Sequence, residues 1–259
     1  MALSSVSRKF AVALASAVVL VLLVACVGPY TAGAKEQEEF HKSYSIAPNG
    51  SLKVKNINGE VKIAAWDGKD IEVNAVKEAS SESRLREMEI RVYATGSRVE
   101  IETKEDSHWF DGGSSHISYE IKVPRSIRIE AESVNGQVLV TGAEADVAAK
   151  SVNGYVAATD VIGDLTLSTV NGAVEGSLRR LGHNVKLSTV NGAVKLRIPQ
   201  DSDAEVDVHT VNGGVSNDFG LTVNRPQYGP GASIRATMGK GTSRIELNSV
   251  NGGVELRKF

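Results

Sequence analysis

The histidines, which are the side chains best suited to catalysis or metal binding near neutral pH, are scattered along the 259-residue chain. The five are His41, His108, His116, His183 and His209. No two of them have the His-x-His or His-x-x-x-His spacing that would present two imidazoles to one metal ion. No G-x-S-x-G elbow marks a nucleophilic serine either. We therefore predict no catalytic site, no bound cofactor and no metal.

Two further segments contain residue types that bind ions. Asp201, Asp203, Glu205 and Asp207 alternate with other residues, so that an extended strand would place all four carboxylates on one face, as oxygen ligands for Ca²⁺. The segment lacks a glycine-turned calcium loop, and we interpret it as a solvated outer face. Residues 239–242 lack the full G-x-x-x-x-G-K-[ST] pattern of a phosphate loop and are interpreted as a tight turn.

Two neighbouring aromatic residues, Trp109 and Phe110, fall in a loop-like segment between His108 and His116. If exposed, the two rings could hold a sugar or a partner protein. If folded down, they would cover the end or side of a core. Both interpretations stay open, and the pair is a candidate binding loop.

The first 25 residues have the pattern of an export signal. Arg8 and Lys9 form a short basic region, and an apolar run follows at residues 10–24. This run is shorter than the about 20 residues that a transmembrane helix needs. We predict that residues 1–25 are a signal peptide, removed in the mature protein.

Cys26 is the only cysteine in the chain, which excludes an intramolecular disulfide and a thiolate metal cluster. It ends the sequence Leu23-Val24-Ala25-Cys26, which resembles the bacterial lipobox, where the cysteine is acylated and becomes the mature N-terminus. We predict a lipoprotein with palmitate-type acylation at Cys26 and a flexible tether at residues 26–42. An ordinary signal with a chance cysteine and an uncleaved anchor are the alternatives.

Charge and export together limit the partners. Without Arg8 and Lys9 the mature chain has 27 Lys+Arg against 31 Asp+Glu, a net charge of −4, and no basic block. Nucleic acid is therefore not expected as a partner. The expected location is the outer membrane or periplasm of a cell with two membranes, or otherwise the outer face of the cell membrane. The membrane, through the lipid, and an envelope, glycan or protein ligand are the expected partners.

The dominant sequence feature is a repeated Val-Asn-Gly preceded by Ser or Thr. Its six copies centre on Asn135, Asn153, Asn171, Asn191, Asn212 and Asn251. The first five are spaced by 18, 18, 20 and 21 residues. A period of this length is typical of repeat proteins, in which each unit buries its apolar face by stacking on its neighbours.

Two architectures share this period. Asn-Gly is a strong hairpin signal, so an antiparallel meander would turn at each copy, with successive corners about 9.6 Å apart. In a solenoid the corners stack about 4.8 Å apart, and their side-chain amides can hydrogen-bond along the axis. The recurring Val and Ser/Thr flanks favour the solenoid, with the asparagines held inside one corner as a structural ladder. Periodicity alone leaves the meander open.

The remaining sequence predicts the elements around the repeat. Alternating apolar residues predict strands from 44 to 73 and a hairpin at 90–101, and Ser80 or Ser81 could cap a short helix. Residues 84–124 and the Arg257-Lys258 tail are candidate caps for the ends of the stack. The predicted interior side chains are Val156, Leu165, Leu167, Val174, Leu178, Val185 and Leu187. We predict an all-β, repeat-built β-solenoid of β-helix or β-roll type over residues 43–259, with an N-terminal hairpin region and one short helix.

The pattern as a whole resembles a bacterial family of β-strand-repeat proteins known as putative adhesins. The similar points are Pro-Asn-Gly-Ser-Leu at 48–52, Ile-Lys-Val-Pro at 121–124, the Val-Asn-Gly-x-Val units, Asn217-Asp218-Phe219 and Gly239-Lys240-Gly241. The resemblance implies a β-helical or β-roll fold on an exported protein and provides no catalytic residues. We expect a lipid-anchored, non-enzymatic solenoid that presents a binding surface at the cell envelope. The alternatives are a structural or envelope-stress lipoprotein without external ligand, and a glycan-acting enzyme.

Overall fold

The computed structural model of the chain describes residues 36–105 and 114–259, which form strands and one short helix. The first part contains β1 Glu36–Ser45, β2 Ser51–Lys55, β3 Val61–Trp66, β4 Asp70–Ala79, α1 Glu82–Glu87, β5 Met88–Ala94 and β6 Arg98–Glu105. The second begins with β7 Ser115–Pro124, β8 Arg128–Asn135, β9 Val138–Thr141, β10 Val147–Asn153, β11 Val156–Asn171 and β12 Val174–Asn191. It ends with β13 Val194–Ile198, β14 Ala204–Asn212, β15 Val215–Asn217, β16 Ala232–Met238, β17 Ser243–Asn251 and β18 Val254–Lys258. The all-β prediction is confirmed.

Parallel pairing of like residues builds the body of the fold. Strand β10 lies between β8 and β11, with Asn153 opposite both Asn135 and Asn171. Strand β11 continues the stack onto β12, where Asn171 lies opposite Asn191. Successive Asn-Gly corners therefore belong to adjacent coils, and the fold is a β-solenoid. The meander is excluded because it would separate these corners by two strands.

Alternate residues of each strand point inward and stack in rows from coil to coil. Leu165 lies between Val147 and Val185, and Val156 lies between Val138 and Val174. The predicted interior side chains are confirmed, since all seven are buried. The interior is therefore a dry column of small and branched side chains that each coil shares with its two neighbours.

The last coil in sequence is not the last coil in space. Strand β17 pairs with β12 on one side and with β14 on the other, and β18 lies between β13 and β15. Along the chain, β14 and β15 form the outer coil first, and the antiparallel β16 follows. Strands β17 and β18 then form the coil that lies between β12–β13 and β14–β15. The Arg257-Lys258 tail lies inside the stack, so its predicted role as a cap is wrong. The end is covered instead by β16 and by residues 218–231.

The N-terminal end has the same arrangement. Strand β2 lies between β6 and β8, and β3 lies between β7 and β9, so β6 and β7 form the outer coil. Antiparallel β5 covers β6, and β4 covers β7. The predicted hairpin is formed by β5 and β6. The described part of the candidate cap at 84–124 lies at this end of the stack, together with β4, which is outside that range. Helix α1 is capped by the hydroxyl of Ser81, as predicted, and buries Leu85.

Part of the predicted tether is a β-strand. Residues 36–42, assigned above to the tether, belong to β1, which pairs with β4 at all ten positions. Most side chains of β1 are exposed because it is an edge strand with one paired neighbour. Strand β1 therefore has the charged composition of a solvated tether, although its backbone is hydrogen-bonded to β4.

Candidate functional site

Each Asn-Gly corner depends on a glycine because two backbones approach closely there. A Cβ added to Gly154 would lie 2.0 Å from the carbonyl oxygen of Gly136, and one added to Gly192 would lie 1.9 Å from that of Gly172. Gly213 and Gly252 occupy equivalent positions, at 2.0 and 1.8 Å from the neighbouring glycine oxygen. No side chain fits between the coils at this point. The repeated glycine is thus required by stacking.

In five of the six repeats the Ser or Thr points inward, and its hydroxyl donates to the carbonyl of the corner glycine in the adjacent coil. Thr169 Oγ1 donates to Gly154 O at 3.0 Å, and Thr189 Oγ1 donates to Gly172 O at 2.9 Å. Ser151, Ser249 and Thr210 make the equivalent bond at 2.8–2.9 Å. These hydroxyls are buried, and the bond satisfies a carbonyl inside the coil. The sequence displayed this residue in every copy, but only the coil geometry shows its role.

Ser133 is the exception, and it provides a matched pair for a stability prediction. The amide of Asn56 already donates to Gly59 O at 3.0 Å, and Ser133 Oγ has no hydrogen-bond partner among the described residues. We expect Ser151→Ala to lower the free energy of unfolding by about 1–2 kcal/mol, because it leaves the Gly136 carbonyl unsatisfied. Ser133→Ala removes an unpaired hydroxyl and should be neutral or slightly stabilising. Urea unfolding gives the free energy of unfolding of both variants. Equal losses of stability would contradict the role of the Ser151 hydrogen bond.

The asparagines form the predicted ladder, but on the outside of the corner. Asn171 Nδ2 donates to Asn153 Oδ1 at 2.8 Å, and the same bond links all the repeated asparagines in the order 212, 251, 191, 171, 153, 135 and 58. Asn58 continues the chain to the Glu105 carboxylate at 3.3 Å. The predicted inward orientation is wrong, since the six repeat asparagines are exposed. Alternation from buried Leu167 and Thr169 would place Asn171 inside, but the strand ends at this corner, where Val170 and Asn171 are both exposed.

A row of exposed valines runs beside the asparagine ladder. In spatial order its members are Val134, Val152, Val170, Val190, Val250 and Val211, which are 39–46% exposed. Five steps between coils give a row about 24 Å long at the usual strand spacing. We name these valines and the six asparagines of the repeat the Val–Asn ridge. The signal was in the sequence, because counting in twos from buried Leu165 and Leu167 places Val170 outside.

The surface beside the ridge has a different character. The outward residues of the strands that lead to the corners include ion pairs, such as Lys150 with Glu132 at 2.8 Å and Lys186 with Glu246 at 3.1 Å, beside small polar residues such as Thr166. Exposed pairs of this kind contribute little to stability, and they make this surface hydrophilic. The ridge is thus an apolar and amide-bearing strip beside a more polar surface.

The ridge ends at a cleft of about 470 Å³, which we name the end cleft. Its lining residues are His209, Thr210, Val211, Asn224, Arg225, Pro226, Pro230, Gly231, Ala232 and Ser233. Asn224 and Ser233 exchange two backbone hydrogen bonds, at 2.8 and 2.9 Å, and so close the loop between them. Gly231 adopts φ +109° where a Cβ would meet the carbonyl oxygens of Thr210 and Val211 at 2.9 Å. The loop is thus held across the last valine of the ridge.

The segment before this loop is fixed by a side-chain cap. Asn217 Oδ1 accepts from the amides of Phe219 and Leu221 at 3.1 and 2.9 Å, and its Nδ2 donates to Leu221 O at 2.9 Å. The Lys258 ammonium lies 5.2 Å from the centre of the Phe219 ring. Arg257 donates to Asp218 at 3.0 Å and holds the pKa of that carboxyl below its usual value. These contacts fix residues 217–221, which precede the loop of the cleft, against β18.

The two ion-binding candidates of the sequence meet at one turn. Asp203 Oδ1 accepts from the Lys240 amide at 2.9 Å, so the segment 239–242 is the tight turn that was predicted and its amide is already bonded. Glu205 and Asp207 face outward on β14, and Asp207 pairs with Arg235 at 3.1 Å. Within residues 36–105 and 114–259 no group of three or more His, Cys, Asp or Glu could hold a metal ion.

Two predicted site elements lie outside the described residues. Cys26 and the aromatic pair Trp109 and Phe110 belong to ranges 1–35 and 106–113, and their roles remain predictions. In the described part of the chain, no helix is long and apolar enough to cross a membrane.

A buried polar network closes the N-terminal end of the stack. Asn56 occupies the position of the repeat Ser or Thr, and Thr103 Oγ1 donates to its side-chain oxygen at 2.9 Å. The Tyr119 hydroxyl lies 2.7 Å from Thr103 Oγ1, whose hydrogen is already committed to Asn56, so the tyrosine acts as the donor. Burial raises the pKa of Tyr119 to about 12 from its ordinary value of 10.0.

This raised pKa predicts alkaline instability. Between pH 10 and 12 the tyrosine of the unfolded chain loses its proton while folded Tyr119 keeps it, so stability falls as the pH rises through this window. We expect Tyr119→Phe to cost about 1 kcal/mol at pH 8, through the lost hydrogen bond, and to flatten the decline above pH 10. Burial, with the bond to Glu175, also raises the pKa of the less buried Tyr155 to about 12, so Tyr155→Phe should flatten part of the same decline. Tyr93→Phe, at a side chain that is 58% exposed, is the control. Unfolding midpoints across this range test the prediction, and an unchanged decline in Tyr119→Phe would contradict it.

Comparison with known proteins identifies the domain. Residues 129–257, from β8 to β18, match the family model described as Toastrack DUF4097. The chain carries a Toastrack domain. This is a domain of unknown function, and the match includes all six Val-Asn-Gly corners and the end cleft. The Toastrack region is thus the part of the chain in which the ridge is built.

Solved structures with low sequence identity were also compared with this Toastrack protein. A putative cell adhesion protein from Clostridium sporogenes ATCC 15579 is 14% identical, with 86% of this chain and 100% of that chain covered and a TM-score of 0.49. A putative adhesin from Bacteroides fragilis NCTC 9343 is 11% identical, with coverage of 86% and 97% and a TM-score of 0.40. A comparison with curated proteins gave no match.

Proposed function

We propose that this chain is an exported, non-enzymatic binding protein that is anchored by a lipid on Cys26 and presents the Val–Asn ridge to an extended ligand at the cell envelope. The observation that carries the proposal is the row of six exposed valines. Their side chains lie outside the coil, so the packing of the interior does not require them. A contiguous apolar strip beside a more polar surface is typical of an interaction site.

The ladder gives this strip polar specificity. Each repeat asparagine forms amide-to-amide bonds along the axis and is exposed, so the remaining hydrogen-bonding capacity of its amide faces the solvent. The ridge thus consists of a row of apolar side chains beside a row of amides, and both rows repeat at about 4.8 Å along the axis. A rigid surface of this kind suits an extended glycan or a protein segment, because the surface loses little conformational entropy on binding.

Lipid anchoring rests on the sequence before the domain. Cys26 precedes Glu36, the start of β1, by ten residues, which span about 35 Å at most. This length lets the folded body stand off a membrane surface. Cys26→Ser should abolish fatty-acid labelling and release the protein from membranes. Persistent labelling would refute the lipid assignment without affecting the proposal for the ridge.

The binding function is tested by a triple substitution on the ridge. Val152→Thr, Val170→Thr and Val190→Thr keep the β-branched shape and remove the apolar surface. Thr141→Val and Thr159→Val, on the other strand of neighbouring coils, are the matched control. We expect binding to glycan arrays, matrix proteins or isolated cell envelopes to fall by more than about tenfold in the triple variant, with an unchanged unfolding midpoint. Unchanged binding in the triple variant, or no binding by the native protein, would contradict the proposal.

A further inference from the structure

The lining of the end cleft contains a group of apolar side chains. Val211, Pro226, Pro230 and Ala232 contribute apolar surface to it. Tyr228 is not a lining residue, but it lies in the same loop, between the two prolines, and is 84% exposed. An exposed aromatic side chain on a loop that borders an apolar cleft can stack on the C–H face of a sugar.

The polar side chains of this lining are free to bind. Within residues 36–105 and 114–259, the ring of His209, the amide of Asn224 and the guanidinium of Arg225 have no hydrogen-bond or ion-pair partner. The nearby arginines behave differently, since Arg235 pairs with Asp207 at 3.1 Å and Arg257 pairs with Asp218 at 3.0 Å. A few polar side chains in the lining of a largely apolar cleft are the usual composition of a small-ligand site.

The charged side chains in the lining of the cleft favour a negatively charged ligand. No Asp or Glu belongs to the lining, which contains one arginine and one histidine, although acidic residues outnumber basic ones in the whole chain. A guanidinium binds a carboxylate through two parallel hydrogen bonds, a geometry that a neutral hydroxymethyl group cannot reproduce.

We propose that the end cleft binds an acidic sugar, with Arg225 on the carboxylate, Asn224 and His209 on neighbouring hydroxyls, and Tyr228 stacked on the ring. The cleft then takes the end of an acidic glycan whose chain continues along the Val–Asn ridge. This assignment rests on the proposed binding function and names its substrate class. It also explains why the loop is held across Val211, because the loop stops the ridge and gives it a defined terminus.

Two probes that differ in a single group test the assignment. Methyl β-glucuronide and methyl β-glucoside share the ring and differ in a carboxylate against a hydroxymethyl group. Titration of the full chain in mild detergent, followed by saturation-transfer NMR, should give a millimolar Kd for the glucuronide and binding at least about tenfold weaker for the glucoside. Equal binding of the two probes, or binding of neither, would overturn the proposal. Displacement of the glucuronide by equimolar acetate would show a carboxylate site without a ring requirement, and it would overturn the sugar assignment.

Substitutions assign the roles. Arg225→Gln should remove the preference for the glucuronide, and Arg235→Gln, at the nearby ion-paired arginine, should leave it intact. Tyr228→Ala should weaken both probes to the same degree. A preference that survives in Arg225→Gln would contradict the role of that residue.

Two different results would count against the acidic-sugar site and against the binding function of the ridge. If neither probe binds while the triple substitution on the ridge still abolishes envelope binding, the acidic-sugar assignment fails alone. If the native protein binds no envelope material or glycan, the proposed function fails whatever the glucuronide does.

Discussion

Gly213→Ala is expected to destabilise the domain by at least about 3 kcal/mol, whereas Gly214→Ala should be neutral or stabilising. The two glycines are neighbours in one corner. A Cβ on Gly213 would lie 2.0 Å from the carbonyl oxygen of Gly252, and a Cβ on Gly214 would have no atom within 4 Å. A backbone oxygen cannot move aside as a flexible side chain can, so the two coils must separate locally.

This pair isolates the stacking contact from the general effect of replacing glycine. Both substitutions reduce the flexibility of the unfolded chain by the same amount, so their difference reports on the native corner. Urea unfolding at a fixed temperature gives both free energies. Similar unfolding midpoints for the two variants would contradict the close approach of the coils at Asn-Gly.

Removal of the last coil is expected to abolish cooperative folding. A chain that ends at Gly241 lacks β17 and β18, which are paired on both sides. The strands on either side would face a gap one coil wide, with unpaired amides and carbonyls on both walls. The lost side chains Ile245, Leu247, Val254 and Leu256 are buried, and each contributes about 1.5–3 kcal/mol on burial. Their sum is comparable with the stability of a whole domain.

The control for this truncation is removal of Phe259 alone, which is 64% exposed. That variant should retain a cooperative transition near the native midpoint. If coils stacked in sequence order, the chain ending at Gly241 would be a solenoid one coil shorter. A cooperative transition with a proportionally smaller denaturant dependence would therefore contradict the inserted position of β17 and β18.

The repeat predicted the stacked coil because its signal is local and periodic. Similar flanks around Asn153, Asn171 and Asn191 favour the stacking of like residues, and parallel pairing is the arrangement that achieves this. The buried row was predictable for the same reason, since alternation places Leu165 and Leu167 on one side of the strand. The same alternation shows that Val170 faces outward, and this consequence became clear only with the structure.

The order of the coils and the end cleft could not be predicted in this way. Periodicity defines what a coil is, but it does not define which coil lies next to it. The spacing of 39 residues from Asn212 to Asn251 marked a break in the repeat without showing that the chain returns inward. The cleft joins residues 209–211 to 224–233 because β16 folds back antiparallel on β14. Contacts of this kind depend on tertiary topology, for which the sequence has no short-range signal.

We propose that the Val–Asn ridge is the surface that contacts the ligand, and site-specific photo-crosslinking on intact cells can test this. A photoreactive amino acid replaces Val170 on the ridge or Thr159 on the other strand of the same coil. We expect cross-links to envelope glycan or protein from position 170 and a background level from position 159. Equal cross-linking from the two positions, or none from position 170 under conditions in which the native protein binds, would contradict it.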